Sequence, residues 1–570
     1  MRKLFFILMV SLCGLGVVMA QTALDPNKYV NIQIAGDTLA NGTHDPAKRV
    51  YTAQPGQIYA FDGTLFVNFP LTIQGTNSTW LYNQTTPPVF LQAPGAGTTG
   101  RTMINLRAGG SVTVKNVLFS GFMGDGTYLI QIIENAAGDS VIADNCVFTD
   151  HDSHALKITG AAKKVYVTNC LFINGIRNRF NQSGGMPHRF DGAIPDIQLE
   201  NNTSVNMARE FGNGGEKITS NLIENHYTYV NMQTTGHENH WYSSLQANSI
   251  FYNWCWTGRK TTTNGYETYF TTFETHANVT NRLDSISLYN GYNLFYLDPK
   301  FTNYWNTTMA SDSVYQCLLW NRDVDSTMRQ DNNFKIGKNY WQFDPKFTAA
   351  PNNTDSMLAW VKGFRGKTQP TNAPNWRITP PITYVAGNPV LSWPPPFNLS
   401  YTNDTLLSAG TDRLPLGDLN WFPAKKAIYL ANRTQYIAAL RDSMLNAKYL
   451  YVPGDSASAL ITSKNVIVVG VESNSQNIPG QYYLSDNYPN PFNPSTTIEF
   501  GLPEQSNVTL AIFNILGQKV FELSSKYLSG SHSYRFDASQ LSNGVYFYTL
   551  KAAGVSGKNF FQSKKMMLLK

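Results

Sequence analysis

Six segments in the first half of the chain align on an asparagine: "VTVKNVLFSG", "VIADNCVFTD", "VYVTNCLFIN", "IQLENNTSVN", "KITSNLIENH" and "LQANSIFYN". The shared residues are Asn116, Asn145, Asn169, Asn201, Asn221 and Asn248, spaced 20 to 32 residues apart. Each unit reads as a short alternating strand, the asparagine, a second short strand and a polar loop of variable length. Strand-length alternation at this period is the mark of a solenoid, and variable loops on a constant rung predict a right-handed parallel β-helix. Rungs stack at about 4.8 Å, so an inward asparagine can bond its amide to the same amide one rung away. Such a ladder satisfies a buried polar group that would otherwise cost a few kcal/mol.

A second column follows five residues later, with Asn174, Asn206 and Asn253 and with Asp150 and His226 as substitutes. "YQCLLWN" (residues 315–321) reads as a further rung with Gln316 in the ladder place, and residues 51–75 as the opening rung. Cys146 and Cys170 hold the same place on adjacent rungs. Two readings stay open for them, a disulfide or a pair of buried thiols.

The N-terminus "MRKLFFILMVSLCGLGVVMAQ" has a basic start, a short apolar run and a small-residue cleavage pattern, so residues 1–20 read as a secretory signal peptide. No other stretch is long and apolar enough to span a bilayer. The four remaining cysteines are too few for a disulfide-built scaffold. With 44 basic and 38 acidic residues and no basic block, nucleic acid is excluded as a partner class. The β-helix is expected over residues 21–350. Residues 351–480 read as a Pro- and Asn-rich segment lying over the solenoid, and "RTQYIAALRDSML" in it as a short helix capping the last rung, with Ile437, Leu440 and Met444 on one face.

Residues 481–570 carry short, regularly spaced alternating strands, which suggests a small β-sandwich. The run "LSDNYPNPFNPSTTIEFGLPEQSNVTLAIFNILGQKV", then "FDASQLSNGVYFYTLKA" and a final "KKMMLLK", resembles the type A sorting domain of the type IX secretion system. That resemblance implies export across the outer membrane of a Bacteroidota-like bacterium, with the secretion machinery as partner and the cell surface or medium as destination. The prolines of "NYPNPFNP" fix φ and remove donors, holding an extended lead-in that cannot pair indiscriminately.

The rung pattern over residues 50–350 resembles the pectate lyase-like superfamily, making the expected fold all-β, a β-helix followed by a sandwich. In that superfamily the sugar groove lies on the sheet after the second asparagine column. Its polyuronate lyases use Ca²⁺ on carboxylates to neutralise the uronate, and an Arg or Lys takes the C5 proton. The resemblance implies polysaccharide as partner. It points to Asp150 and Asp152 as Ca²⁺ ligands, to Lys157, Arg189 and Arg209 as catalytic candidates, and to His188, Trp241 and Trp256 as sugar contacts. "HDSH" and "HENH" lack the remaining ligands and geometry of zinc motifs. A non-catalytic adhesin or envelope protein is the alternative, and paired carboxylates on a common groove with a Lys or Arg in reach would favour the lyase.

Overall fold

A β-strand must bend sharply to return on itself within 20 to 30 residues, and a left-handed residue provides such a bend; asparagine tolerates that conformation better than most residues. The computed structural model describes residues 21–93, 102–123, 128–176, 185–208, 211–212, 220–233, 241–254, 256, 259–260, 287–307, 314–315, 334–365, 376–446, 479–527 and 529–569. The signal peptide expected at residues 1–20 lies outside them. In the first column Asn116, Asn145, Asn169, Asn201, His226 and Asn248 have φ of 50–60°, as do Asp150, Asn174, Asn206, Asn231 and Asn253 in the second. Two left-handed bends five residues apart thus recur on five of these rungs, with four residues between them.

The rungs stack in parallel and in register. The first sheet includes Pro70–Gly75, Ser111–Lys115, Ser140–Asp144 and Lys164–Thr168; the second includes Val89–Gln92, Leu118–Ser120, Val147–Thr149 and Leu171–Ile173. Ile197–Met207 and Ser220–Met232 run through the bend and serve both sheets. A third sheet has six strands, Leu65–Val67, Thr102–Leu106, Gln131–Asn135, His154–Ile158, Met186–Phe190 and Phe211–Gly212. The stack begins with Gln21–Ala23 on Val50–Ala53, and its last described rung is Phe334–Ile336 with Tyr340–Trp341.

Two expectations are corrected by register. Glu200 and Asn202 pair with Asn225 and Tyr227, so His226, not Asn221, is the ladder residue of that rung, and Asn231 follows it in the second column. Asn221 and His226 are themselves five residues apart, so the sequence pattern alone aligns this segment one column too early. Asn221 instead bonds the Pro195 carbonyl and Ser243. Val314–Tyr315 pairs antiparallel with Arg259–Lys260 rather than forming a rung, and Gln316 lies outside the described residues. Of the two readings for Cys146 and Cys170, the structure has buried free thiols.

The second column is the continuous amide ladder. Asn174 donates to Asp150 (3.2 Å), Asn206 to Asn174 (3.4 Å), Asn231 to Asn206 (3.0 Å) and Asn253 to Asn231 (3.0 Å). In the first column Asn145 donates to Asn116 (2.7 Å), but Asn169 turns to Asp144 and Asn248 to Asn225. The interior carries a matching stack of rings, Phe90, Phe119, Phe148 and Phe172, with centroids 5.2–5.5 Å apart. Ser204 interrupts that column; Tyr227 fills the gap, stacking on Tyr229 at 4.0 Å and hydrogen-bonding Ser204.

Residues 376–422 form a strap over the second sheet, tied to both columns. Asn174 donates to the Ile378 carbonyl (2.9 Å), Asn420 to the Asn201 carbonyl (2.8 Å), and the Thr411 N–H to Asn248 (2.8 Å). Both ring nitrogens of His226 face the strap, one 3.1 Å from the Gly417 carbonyl and the other 2.7 Å from Asp412. Between these ties Leu118, Val147, Leu171 and Val205 are buried against Ile378, Ile382, Phe397 and Trp421. At about 1.5–3 kcal/mol per fully buried large apolar side chain, this apolar contact dominates strap docking.

The segment after residue 350 is more ordered than expected, with helices Thr354–Arg365 and Pro423–Asn446. The second helix does not cap the last rung. Tyr429 and Arg433 bond Glu200 (2.8 Å each), and Ile437 and Leu440 pack on Ile223, Leu245 and Tyr289, so it crosses the flank of the first sheet.

Residues 470–570 form a separate unit. Two antiparallel sheets, Tyr483–Leu484, Ser495–Leu502 and Gly530–Asp537 against Ser506–Asn514, Lys519–Tyr527, Gly544–Gly554 and Asn559–Leu568, enclose Phe492, Ile498, Phe500, Leu510, Tyr548 and Leu568. In the proline run Asn487 bonds Tyr548 and Thr496, and buried Phe492 anchors the lead-in to the sheet.

Two predictions follow from the ladder and the strap. Asn206 also accepts from Asn231 and Asn353, so Asn206→Ala strands buried donors and should cost about 2–4 kcal/mol in denaturant unfolding, while Asn221→Ala should stay within about 0.5 kcal/mol. Asp418, buried under the strap, is pushed up to about 7 by desolvation, partly offset by Asn420, Thr203 and Lys426. Its folded pKa lies above the unfolded value, so its contribution is full below about pH 4 and is lost as pH rises through about 7. Asp418→Asn should therefore gain melting temperature relative to the parent protein progressively from about pH 4 to 8; a constant difference would contradict this.

Candidate functional site

The second sheet lies under the strap and the first carries the helix Pro423–Asn446, whereas the third sheet presents a row of polar side chains. Register aligns Phe66, Asn105, Glu134, Lys157 and Arg189 on five successive strands. Ile104, Ile133, Leu156, Ile158 and Phe190 are fully buried beneath them, so alternation turns the row outward. Phe66 is 56% exposed. Lys157, Glu134 and Arg189 are half-buried, and Asn105 is 7% exposed.

The row is internally bonded. Asn105 donates its amide to Glu134 Oε2 (2.8 Å), and Lys157 Nζ lies 3.8 Å from Glu134 Oε1. Arg189 Nε reaches both oxygens of Asp191 at 2.8 and 2.9 Å. Asn105 Oδ1 is buried without a hydrogen-bond partner. An orphaned carbonyl oxygen beside a carboxylate is a hard donor set of the kind Ca²⁺ takes. Asn105 Oδ1 and the Glu134 carboxylate supply two such oxygens, and among the described residues no group of three or more His, Cys, Asp or Glu side chains is gathered for a metal ion.

The other expected residues fall elsewhere. Asp150 is not a Ca²⁺ ligand: it is fully buried at the head of the amide ladder, accepting from Thr149 and Asn174 with Arg377 Nη1 at 3.6 Å. Desolvation pushes its pKa up to about 6, against the lowering effect of Arg377. Asp152 follows on the same bend, half-buried, its N–H bonded to the Leu129 carbonyl. His188 points inward, packed against Phe172 and Phe190 and 3.2 Å from the Tyr227 hydroxyl, and burial lowers it to about 3. A neutral interior ring is no sugar contact. Trp256 is fully buried among Phe301, Trp360 and Trp376, so it is a core residue. Trp241 opens a first-sheet strand, away from the row; Arg209 lies outside the described residues.

The sequence reading found Lys157 and Arg189 but missed Phe66, Asn105 and Glu134. A usable signal was present. Glu134, Lys157 and Arg189 each precede a glycine by three or four residues, Gly138, Gly160 and Gly192. These glycines stack so closely that a Cβ on Gly192 would strike the Gly160 carbonyl, and one on Gly160 the Ala136 carbonyl. Aligning rungs on glycine brings Lys157 and Arg189 together, while Glu134 stands one residue further from its glycine.

No curated protein sequence matches this chain. Among solved structures it is similar to dimeric latent PorU from Porphyromonas gingivalis, at 20% identity over 16% of this chain and 9% of that one, with a TM-score of 0.14. It is also similar to CopC from Methylosinus trichosporium OB3b, at 15% identity over 15% of this chain and 93% of that one, with a TM-score of 0.14. The PL6 family alginate lyase AlyGC aligns at 14% identity over 41% of this chain and 33% of its own length, with a TM-score of 0.30. Likenesses this weak carry no argument, and the parallel β-helix rests on strand register. A family model described as the secretion system C-terminal sorting domain matches residues 486–565. The two-sheet unit at the C-terminus is therefore a type IX sorting domain, the label of proteins exported to the cell surface or released.

Proposed function

We propose that this exported β-helix is a polysaccharide lyase acting on uronate-containing glycan along its third sheet. The observation that carries the reading is the row itself. Lys157 and Arg189 stand on adjacent strands, with the Glu134 carboxylate on the strand next to Lys157 and Asn105 one strand beyond it. Adjacent strands put the two cations about 4.8 Å apart along the stack, which suits two contacts on one acidic sugar.

Ca²⁺ held by Asn105 Oδ1 and Glu134 would neutralise the uronate carboxylate and so acidify the proton at C5. Arg189, fixed by Asp191, would orient the sugar through charge-assisted hydrogen bonds. Lys157 is the group placed to exchange a proton at the reacting carbon. In the elimination the C5–H bond would break with its proton passing to Lys157, a C4–C5 double bond would form, and the C4–O bond would break with its oxygen taking a proton from water. Glu134 would then serve the metal rather than hold Lys157 as an ion pair.

The mature protein incubated with alginate, pectate and chondroitin should raise ultraviolet absorbance from the unsaturated product on at least one of them. Lys157→Ala and Arg189→Ala should each lower that rate by about 10²-fold or more. Chelation or Glu134→Gln should lower it as well, with Ca²⁺ rescuing only the chelated parent protein. Glycan binding without product on all three polymers would leave a surface adhesin instead.

A further inference from the structure

The row begins with a residue that the proposed reaction does not use. Phe66 lies on the first strand of the third sheet, in register with Asn105, and keeps over half its surface open to solvent. Arg107 leaves the neighbouring strand just after Leu106, and its guanidinium carbon sits 4.7 Å over the Phe66 ring. That geometry is a cation–π contact, which holds the guanidinium plane in one orientation.

Arg107 differs from the other two cations of the sheet. Lys157 is shared with Glu134 and Arg189 with Asp191, while the Arg107 guanidinium has no ion pair or hydrogen bond among the described residues. An exposed arginine ordinarily moves freely among rotamers. Here the ring limits that freedom while the donors stay open, so binding an anion costs less ordering entropy. Phe66 lies three strands from Lys157, about 14 Å at the 4.8 Å rung spacing. That separation is too long for one sugar and fits an oligosaccharide laid along the row.

We infer that Phe66 and Arg107 form a distal subsite for a second acidic sugar of the same chain, with Arg107 contacting its carboxylate and Phe66 positioning Arg107. The inference rests on the proposed function of the third sheet. It adds a requirement for polymers that carry acidic groups several sugars apart. Binding energy gathered at this distance is used to hold long chains and not to speed the reacting sugar, so it enters KM and leaves kcat alone.

Titration calorimetry of the mature protein with polymeric alginate or pectate, and with the corresponding uronate disaccharide, tests this. Arg107→Ala and Phe66→Ala should each weaken polymer binding about tenfold and leave disaccharide binding unchanged. In turnover, KM for the polymer should rise with kcat constant. Arg107→Lys keeps the charge without the planar stack and should recover only part of the loss. Both side chains are exposed, and an unchanged melting temperature checks that the variants fold. Polymer affinity equal to the parent protein's in Arg107→Ala overturns the subsite alone, as does full recovery by Arg107→Lys for the part given to Phe66. A parent protein that binds no acidic polymer overturns the subsite together with the reading of the sheet.

Discussion

Everything in the larger unit depends on a pair of left-handed bends repeated rung after rung. An L-residue in that conformation crowds its Cβ against the backbone, and asparagine tolerates it because its short amide can bond locally. Once bent, the amides of the second column reach one another at the rung spacing, so the conformational cost at each bend is offset by a bond to the next. Asp150, Asn174, Asn206, Asn231 and Asn253 form one continuous line of such bonds. The line fixes register, and register in turn decides which side chains share a row.

The two columns do more than stack. Their remaining bonding capacity is aimed at chain from more than a hundred residues further on: Asn353, the Trp376 and Ile378 carbonyls, Thr411 and Asn420. The strap therefore lands on the strip between the columns, where Leu118, Val147 and Leu171 would otherwise face water. This explains why the second-sheet strands are apolar on both sides, a pattern that strict alternation does not give. With that strip and the flank of the first sheet occupied, the outward row of the third sheet remains for a ligand.

The buried histidines and aspartates follow the same logic. His188 sits edge-on to Phe172 in the interior, beside the Tyr227 that fills the gap at Ser204, and stays neutral for lack of solvent. His226 takes a ladder place and ties the strap through Asp412 and Gly417. The sequence pattern puts His226 in the ladder, one column late, because it falls at the asparagine spacing, whereas His188 carries no such spacing and reads as a sugar contact. Trp256 misled in the same way: a tryptophan among tyrosines suits a sugar platform or a core, and only packing against Trp360 and Trp376 decides.

The sequence by itself determined the coil and the export label. A left-handed bend and a proline-fixed lead-in are local properties, set by a residue and its immediate neighbours, so they are written in short motifs. It also named Lys157 and Arg189 as candidates, and alternation about the buried Leu156 and Phe190 turns both outward. Tertiary structure alone decided that Asn105 and Glu134 join them, that Asp150 is sealed into the ladder, and that the long helix lies along the flank. Those outcomes depend on which residues from distant rungs and from the strap compete for the same space and the same hydrogen bonds, and no local pattern encodes that competition.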